Sequence, residues 1–431
     1  MSLLSRLAAP VAASDVASAI VTLLSNRQRP APSELVEEAG PVVSRVLRGP
    51  SGLGTAAARV RPVSGVPRAE NGQARVQEAA GVTAPSAPPR RFAPVGLGTS
   101  AVRIGASTNE EPASGPDLFC PPPGRDNPAL GQEVNDRLVE WAEEVGIYPG
   151  QLEKLRAADF GRLIMLTHPA TDDVDRLVAA GKCIVAEWAT DDHFLDEEAF
   201  GADPTQIGWR LAVSYGAIDP IDLPVRYIPR LDDALSSEPV AVAYRSAFEH
   251  LARYATATQL ARLRHELAVM FMAYNQEATW RTTGRTPPVW EYLTHRHENS
   301  FLPPMVLVDP IAGYEIPAPE FADRRVRRAF CLAGTASVLL NDLYSAAKET
   351  ESDFDLPKLI AAEDGCSAEE AIERTVEIHN ELMYTFVAEA SVLSSLGSPG
   401  LRRFLADIWA WLGGSREWHS TTMRYHAVAS K

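Results

Sequence analysis

Long apolar runs are missing from this chain. None approaches the roughly 18 residues that a membrane-crossing helix needs, so no membrane span is expected. Cysteine is scarce as well. Cys120, Cys183, Cys331 and Cys366 are far apart and form no CxxC pair. Zinc and redox chemistry therefore lack support, and reduced thiols in a cytoplasmic protein are expected. The one N-terminal apolar patch that could serve as a signal-peptide core is interrupted by Asp15. Positive charge is in deficit: 41 Lys and Arg against 56 Asp and Glu give a net charge of −15. That balance argues against nucleic acid as the main partner, and a bound anion would need metal ions or local arginines. No segment sustains the period-2 alternation of a half-buried strand, and no repeat with a period of about 20–50 residues is visible, which disfavours sheets and solenoids.

Residues 1–115 have no Lys, Trp or Tyr, and their only Phe is Phe92. Twelve Arg against eight Asp and Glu make them mildly basic. A stretch this rich in Ala, Pro, Ser and Gly cannot bury enough apolar surface to offset the entropy of ordering it. We expect a disordered N-terminal extension over 1–115, with a transient helix around 14–24, that is dispensable or acts as a solubility or docking tail. The character changes at Cys120-Pro121-Pro122-Pro123. From there helical periodicity predicts helices over 133–145, 151–166, 172–197, 238–254, 258–283, 289–299, 319–348, 367–396 and 401–425. The expected fold class over 116–431 is all-α, a bundle of long helices that could enclose a central cavity.

Two features on those helices suggest chemistry. Asn341, Ser345 and Glu349 recur every four residues, so they form a polar ridge on one face of a helix that is small and apolar before it. Amide, hydroxyl and carboxylate are hard oxygen donors, of the kind Mg²⁺ accepts. The helix ending in TDDHFLDEE crowds Asp191, Asp192, Asp196 and Glu197 together. Like charges at a helix C-terminus repel one another and oppose the macrodipole. A divalent cation would reverse both effects; a solvated acidic helix end is the plain alternative. Both clusters are oxygen-only, which favours Mg²⁺ over zinc, with substrate phosphate completing its shell.

The two motifs together resemble those of class I terpene cyclases. DDHFLDE is similar to their aspartate-rich motif, and the stretch from Asn341 to Glu349 matches NDxxSxxKE at every specified position. Arg296, 45 residues before Asn341, lies close to where that family has its diphosphate-sensing arginine, and Arg424-Tyr425 falls where it has a C-terminal Arg-Tyr pair. More narrowly, the Pro/Ala-rich extension, the segment from Phe119 to Leu152 and EWATDDHFLDE resemble the actinobacterial 2-methylisoborneol synthases.

The resemblance implies a class I terpenoid synthase α-bundle around an active-site cavity. It also implies a lyase that ionises a prenyl diphosphate, cyclises the cation and releases diphosphate. For the narrower group the substrate would be 2-methylgeranyl diphosphate and the product 2-methylisoborneol. It implies Mg²⁺, three ions with diphosphate bound, on Asp191, Asp192, Asp196, Asn341, Ser345 and Glu349. The spacing here is DDxxxD where many relatives have DDxxD. That leaves open whether Asp191 or Asp192 is the principal ligand, with Asp196 an outer-shell candidate and Glu197 a solvated neighbour. Arg296, Arg424 and Tyr425 would bind the diphosphate. Lys348 would assist or pair with a nearby carboxylate. Asn299 and Ser300 fall at the family's helix break. Trp188, one turn before Asp192, is the candidate cation–π partner, with Tyr292, Phe271, Trp280, Trp411 and Trp418 as further aromatics that are core or cavity lining. His193 is not expected to be a ligand. Geranyl or farnesyl diphosphate remain open as substrates. A prenyl-elongating transferase is the weaker alternative, since it would normally carry two DDxxD motifs. A homodimer is compatible with the resemblance.

Overall fold

The computed structural model describes residues 118–196, 203–345 and 354–426. The 1–115 extension, Glu197, Lys348 and Glu349 lie outside them. Every regular element among the described residues is helical, and none of these helices is long and apolar enough to cross a membrane.

Helix α1, Pro128–Val145, begins where the Asn127 side chain accepts the Leu130 N–H and Pro128 occupies the first turn. It ends at Gly146, whose φ of 79° no β-substituted residue adopts cheaply. The start predicted at Glu133 is late because Asn127-Pro128, a start signal, precedes the periodic stretch. The single helix predicted over 151–166 is two, Leu152–Ala158 and α2, Phe160–Thr167, hinged at Asp159 with φ 54°. The hinge lets Gly161 press on α1, where a Cβ would stand 2.2 Å from the Asn135 nitrogen. Buried Asn135 bridges the break: its Nδ2 donates to the Arg156 carbonyl and its Oδ1 accepts from the Gly161 N–H.

Helix α3, Val174–Asp191, is capped by Asp173 and passes into one π turn, Asp192–Asp196. Arginines from two other helices take carbonyls of this turn. Arg210 donates to the His193 carbonyl and Arg281 to the Leu195 carbonyl, each at 3.0 Å. The widened turn is thus held from outside. Then follow α4, Ile207–Ile218, α5, Ile228–Ser237, and α6, Pro239–Leu251. Helix α7, Ala257–Thr283, opens with a Thr256/Gln259 capping box and closes at Gly284; α8 is Val289–Glu298. Helix α9, Arg324–Ser345, carries the ridge, and α10 is Leu356–Asp364. Helix α11, Ala368–Leu396, opens with a Ser367/Glu370 capping box, and α12, Pro399–Thr421, is followed by a last turn, Met423–His426. Helices α4, α5 and α10 were not predicted. The predicted 401–425 helix stops at Thr422, where extended backbone (ψ 138°) redirects the chain.

Helix α9 lies against α11 and α12, α3 against α1 and α6, and α2 between α1 and α12. Helix α12 is pinched at two adjacent glycines. A Cβ on Gly413 would stand 2.5 Å from the Pro122 carbonyl, and one on Gly414 2.5 Å from the Leu166 backbone. The chain from Leu118 to Arg125 is strapped across this helix. The Phe119 N–H donates to Asn380 Oδ1 at 2.8 Å, and Arg125 donates to the carbonyls of Met165, His168 and Thr171 and pairs with Asp172. Removing residues 1–115 should therefore leave turnover nearly intact. Extending the deletion through Arg125 should cost several kcal/mol, since it uncovers apolar surface and breaks these buried bonds. Thermal unfolding and diphosphate release from both truncations check this. A large activity loss in the shorter deletion refutes the dispensable-tail expectation.

Candidate active site

The end of α3 meets the end of the chain. Asp192 is buried, 3% exposed. Its Oδ2 accepts from the Tyr148 hydroxyl at 2.7 Å and its Oδ1 from Arg424 Nη2 at 3.1 Å. Burial and the adjacent Asp192 charge push the Tyr148 phenol well above its usual range, so it stays a donor. Arg424 also lies over the Trp188 ring, 5.8 Å from its centroid. Its Nε is buried and has no hydrogen-bond partner among the described residues. The guanidinium is thus paired with Asp192 at Nη2 while its Nε keeps an unused N–H. Asp191 is half-buried beside Asp192, close enough that its charge raises both Tyr148 and Tyr274.

The ridge meets the very next residue. Asn341 Nδ2 donates to the Tyr425 hydroxyl at 2.8 Å and lies 3.2 Å from His419 Nε2. His419 Nδ1 is 2.8 Å from the Ser415 carbonyl, which fixes its proton there and makes Nε2 the acceptor. Burial lowers the His419 pKa to about 4, so the ring is neutral. The His419 and Tyr425 rings stack at 5.4 Å and 5°. With Nδ2 engaged on this side, Asn341 turns its Oδ1 the other way. Ser345, one turn on, is buried. Arg424 and Tyr425 thus hold one motif each. Consecutive Cα atoms stand about 3.8 Å apart, so the aspartate motif and the ridge are tied to neighbouring points of the chain.

Arg296 approaches α9 from α8. Its Nη2 donates to Asp342 Oδ1 at 2.5 Å and its Nε to the Tyr292 hydroxyl at 2.8 Å. That hydroxyl also lies 3.1 Å from Asp342 Oδ2, which accepts from the Leu356 N–H as well. Asp342 is completely buried. Burial pushes its carboxyl up, against the pull of Arg296. Next to Arg296, buried Glu277 pairs with Arg281 at 2.8 Å, and His295 Nε2 is 3.4 Å from it. Burial would raise the Glu277 carboxyl, but the neighbouring His295 ring and the charges of Arg281 and Arg296 outweigh it and lower it to about 2. The chain breaks at Asn299–Phe301, between α8 and the turn Leu302–Met305.

Of the candidate residues, Asp192, Arg424 and Trp188 meet at one side and Asn341 and Tyr425 at the other. Arg296 is tied to Asp342 on the same helix as Asn341. Glu349 and Lys348 lie outside the described residues, and Asp196 closes the π turn. Among the described residues no three His, Cys, Asp or Glu side chains gather around one point. His193 packs its ring edge-on against Tyr148 at 5.5 Å. Trp188 is half-buried and packs on Phe160, Phe301 and Trp418. Three residues missed from the sequence have structural parts here: Tyr148, Asp342 and His419. Asp342 is within the ND pair, so its position was a usable signal; Tyr148 and His419 had none. A fourth is Glu187, one turn before Asp191 and 6% exposed, with Oε1 lacking a hydrogen-bond partner. Burial raises its pKa well above the usual carboxyl range.

The donors fit a hard cation. Asp191, the Asn341 Oδ1 and the Ser345 hydroxyl are oxygens, and the nearby cysteine and histidine are disqualified: burial pushes the Cys183 thiol up, and His419 Nε2 is taken.

A family model described as terpene synthase family 2, C-terminal metal binding, matches residues 182–385. The chain is 37% identical over 352 residues to a 2-methylisoborneol synthase of Streptomyces ambofaciens, covering 77% of this chain and 80% of that one. It is 38% identical over 316 residues to one of Saccharopolyspora erythraea, covering 72% and 89%. Its structure is similar, with a TM-score of 0.69 and 35% identity, to a crystal structure of 2-methylisoborneol synthase from Streptomyces coelicolor A3(2) in complex with Mg²⁺ and 2-fluoroneryl diphosphate. That similarity covers 73% of this chain and 98% of that one.

Proposed function

The chain belongs to the class I terpene synthase family, an all-α bundle around a central active-site cavity, and on that premise we propose that it converts 2-methylgeranyl diphosphate and water to 2-methylisoborneol and diphosphate. Membership makes it a Mg²⁺-dependent cyclase acting on a small-molecule prenyl diphosphate. The choice of substrate rests on one observation, the 37% and 38% identity to proteins named for that product over most of both chains.

Magnesium, when bound, supplies Lewis-acid stabilisation of the charge that builds on the diphosphate as the allylic C–O bond breaks. Asp191, Asn341, Ser345 and Glu349 would hold it, with Asp196 in support and three ions in the loaded state. Asp192 has the other part: its oxygens already hold Tyr148 and Arg424, so it positions a donor instead of a metal. Arg296, Arg424, Tyr425 and Lys348 bind the diphosphate oxygens. The unpartnered Arg424 Nε is the donor most open to that role. Because Arg424 leans on Asp192 and Tyr425 on Asn341, both motifs and the diphosphate donors move as one unit, preorganised for the departing charge. Trp188, beneath Arg424, presents a ring face to the cation, and the aromatic layer around it keeps water out until ring closure.

Gas-chromatographic product analysis with 2-methylgeranyl, geranyl and farnesyl diphosphates tests this. The first should give 2-methylisoborneol, with kcat/KM at least about tenfold above the other two, the discrimination a single methyl group in an apolar pocket supports. A sesquiterpene from farnesyl diphosphate as the favoured product overturns it. Longer prenyl chains on adding isopentenyl diphosphate would mark a transferase instead.

A further inference from the structure

We infer that the buried carboxyl group of Glu187 holds the water molecule that quenches the final cation, which makes it a positioning residue for the alcohol product. This rests on the proposed alcohol-forming reaction.

Glu187 lies on the stripe of α3 that carries Asp191, one turn deeper than the metal end of the helix. Its neighbours on the adjoining helices are aromatic. It is close enough to Tyr244 of α6 and Tyr274 of α7 that a charge on it would raise both hydroxyls. Asp191 acts on Tyr274 in the same way, so Tyr274 faces both carboxyls. Tyr244 accepts from the Thr190 hydroxyl at 3.0 Å, and Phe271 packs edge-on against Tyr244 at 5.8 Å. Into this aromatic wall the chain places a carboxyl group that is 6% exposed and whose Oε1 has no hydrogen-bond partner.

A buried polar atom is costly to leave without a partner. Among the described residues no arginine or lysine is paired with it. The plain remedy for such an atom is an ordered water, and a water needs two or more polar partners. The carboxyl supplies one or two, and the Tyr244 or Tyr274 hydroxyl can supply another.

The protonation state makes the site compatible with cation chemistry. A carboxylate in the cavity would add to the cation or strip a proton from it. Burial keeps Glu187 neutral, so it can orient water without doing either. The water oxygen then gives a lone pair to the empty orbital of the tertiary cation and the C–O bond forms. The resulting oxonium loses one O–H proton to the diphosphate released earlier, which leaves as its protonated form. Atoms and charge balance, and Glu187 is unchanged.

The experiment uses the full chain with Mg²⁺ and 2-methylgeranyl diphosphate, reading total diphosphate release and the ratio of alcohol to hydrocarbon. Glu187→Gln keeps a donor and an acceptor in the same shape and should keep the ratio within about twofold. Glu187→Met removes both and should shift it toward hydrocarbon by about tenfold, the effect expected of one lost hydrogen bond, while diphosphate release stays within a few-fold. An unchanged ratio in Glu187→Met, or an equal loss of alcohol in both variants, overturns the inference. Should Glu187→Met not fold, a crystal structure of the wild-type protein with Mg²⁺ and 2-fluorogeranyl diphosphate decides: an ordered water on the Glu187 carboxyl supports the assignment and a dry carboxyl refutes it. Hydrocarbon alone from the wild-type enzyme would show that the proposed product is wrong, whatever the variants do.

Discussion

Asn341→Ala should slow diphosphate release about a thousandfold while shifting the melting temperature by only a few degrees, because the function proposed makes the side chain an electrostatic ligand and not a packing element. It is half-exposed, so its removal opens no sealed cavity. What goes is the Oδ1 donor aimed at the cation and the Nδ2 that fixes the Tyr425 hydroxyl and His419. Asn341→Asp separates the two roles. It keeps an oxygen for the metal but gives up both N–H donors, and should lose roughly ten- to a hundredfold, in line with one or two lost hydrogen bonds. Turnover by Asn341→Ala at the wild-type rate would remove the ridge from the site.

Asp342→Ala should fail in a different way, losing about 3–5 kcal/mol of stability together with most of its turnover. Asp342 is fully buried and holds Arg296, the Tyr292 hydroxyl and the Leu356 N–H. Deleting one partner of such a pair takes the Asp342 carboxylate from a partly buried guanidinium. Replacing both, as Arg296→Met with Asp342→Leu, removes the stranded charge and should recover most of the lost melting temperature. Turnover should not return, since the diphosphate donor proposed for Arg296 is gone. Equal recovery of both readouts would reduce Arg296 to a structural part of the bundle.

Much of this arrangement was legible before any coordinates. Helical periodicity marked most of the long helices, and their ends were plain where local chemistry writes them: Gly146, Gly284, and the Ser367/Glu370 pair. The ridge and the aspartate cluster were visible because both depend on i,i+4 spacing, a property of one helix. What could not be read was long-range. The π turn at Asp192–Asp196 owes its shape to Arg210 and Arg281, on helices with no sequence link to it. The split at Asp159 depends on Gly161 lying against α1. Which of Asp191 and Asp192 meets Tyr148 and Arg424 was undecidable from spacing. The contacts that separate them come from Tyr148 and Arg424, brought together only by the fold. Helices α5 and α10 are short, with few turns for periodicity to register, and α4, IGWRLAVSYGAI, is apolar most of the way round and so offers no contrasting polar face.

The paired glycines of α12 carry a consequence for redesign. With Pro122 on one side and Leu166 on the other, each closer than any methyl group tolerates, the helix has no freedom to slide along its axis or roll. Past its last residue, Thr421, and the redirecting Thr422, the chain carries Arg424 and Tyr425. Two hydrogen atoms, standing where every other amino acid has carbon, therefore act as a gauge block for the diphosphate grip. Changes to product choice made by reshaping the cavity wall leave that gauge untouched. A single methyl added at Gly413 or Gly414 would reset it from a distance, altering where the cation is born and not the surface it folds against.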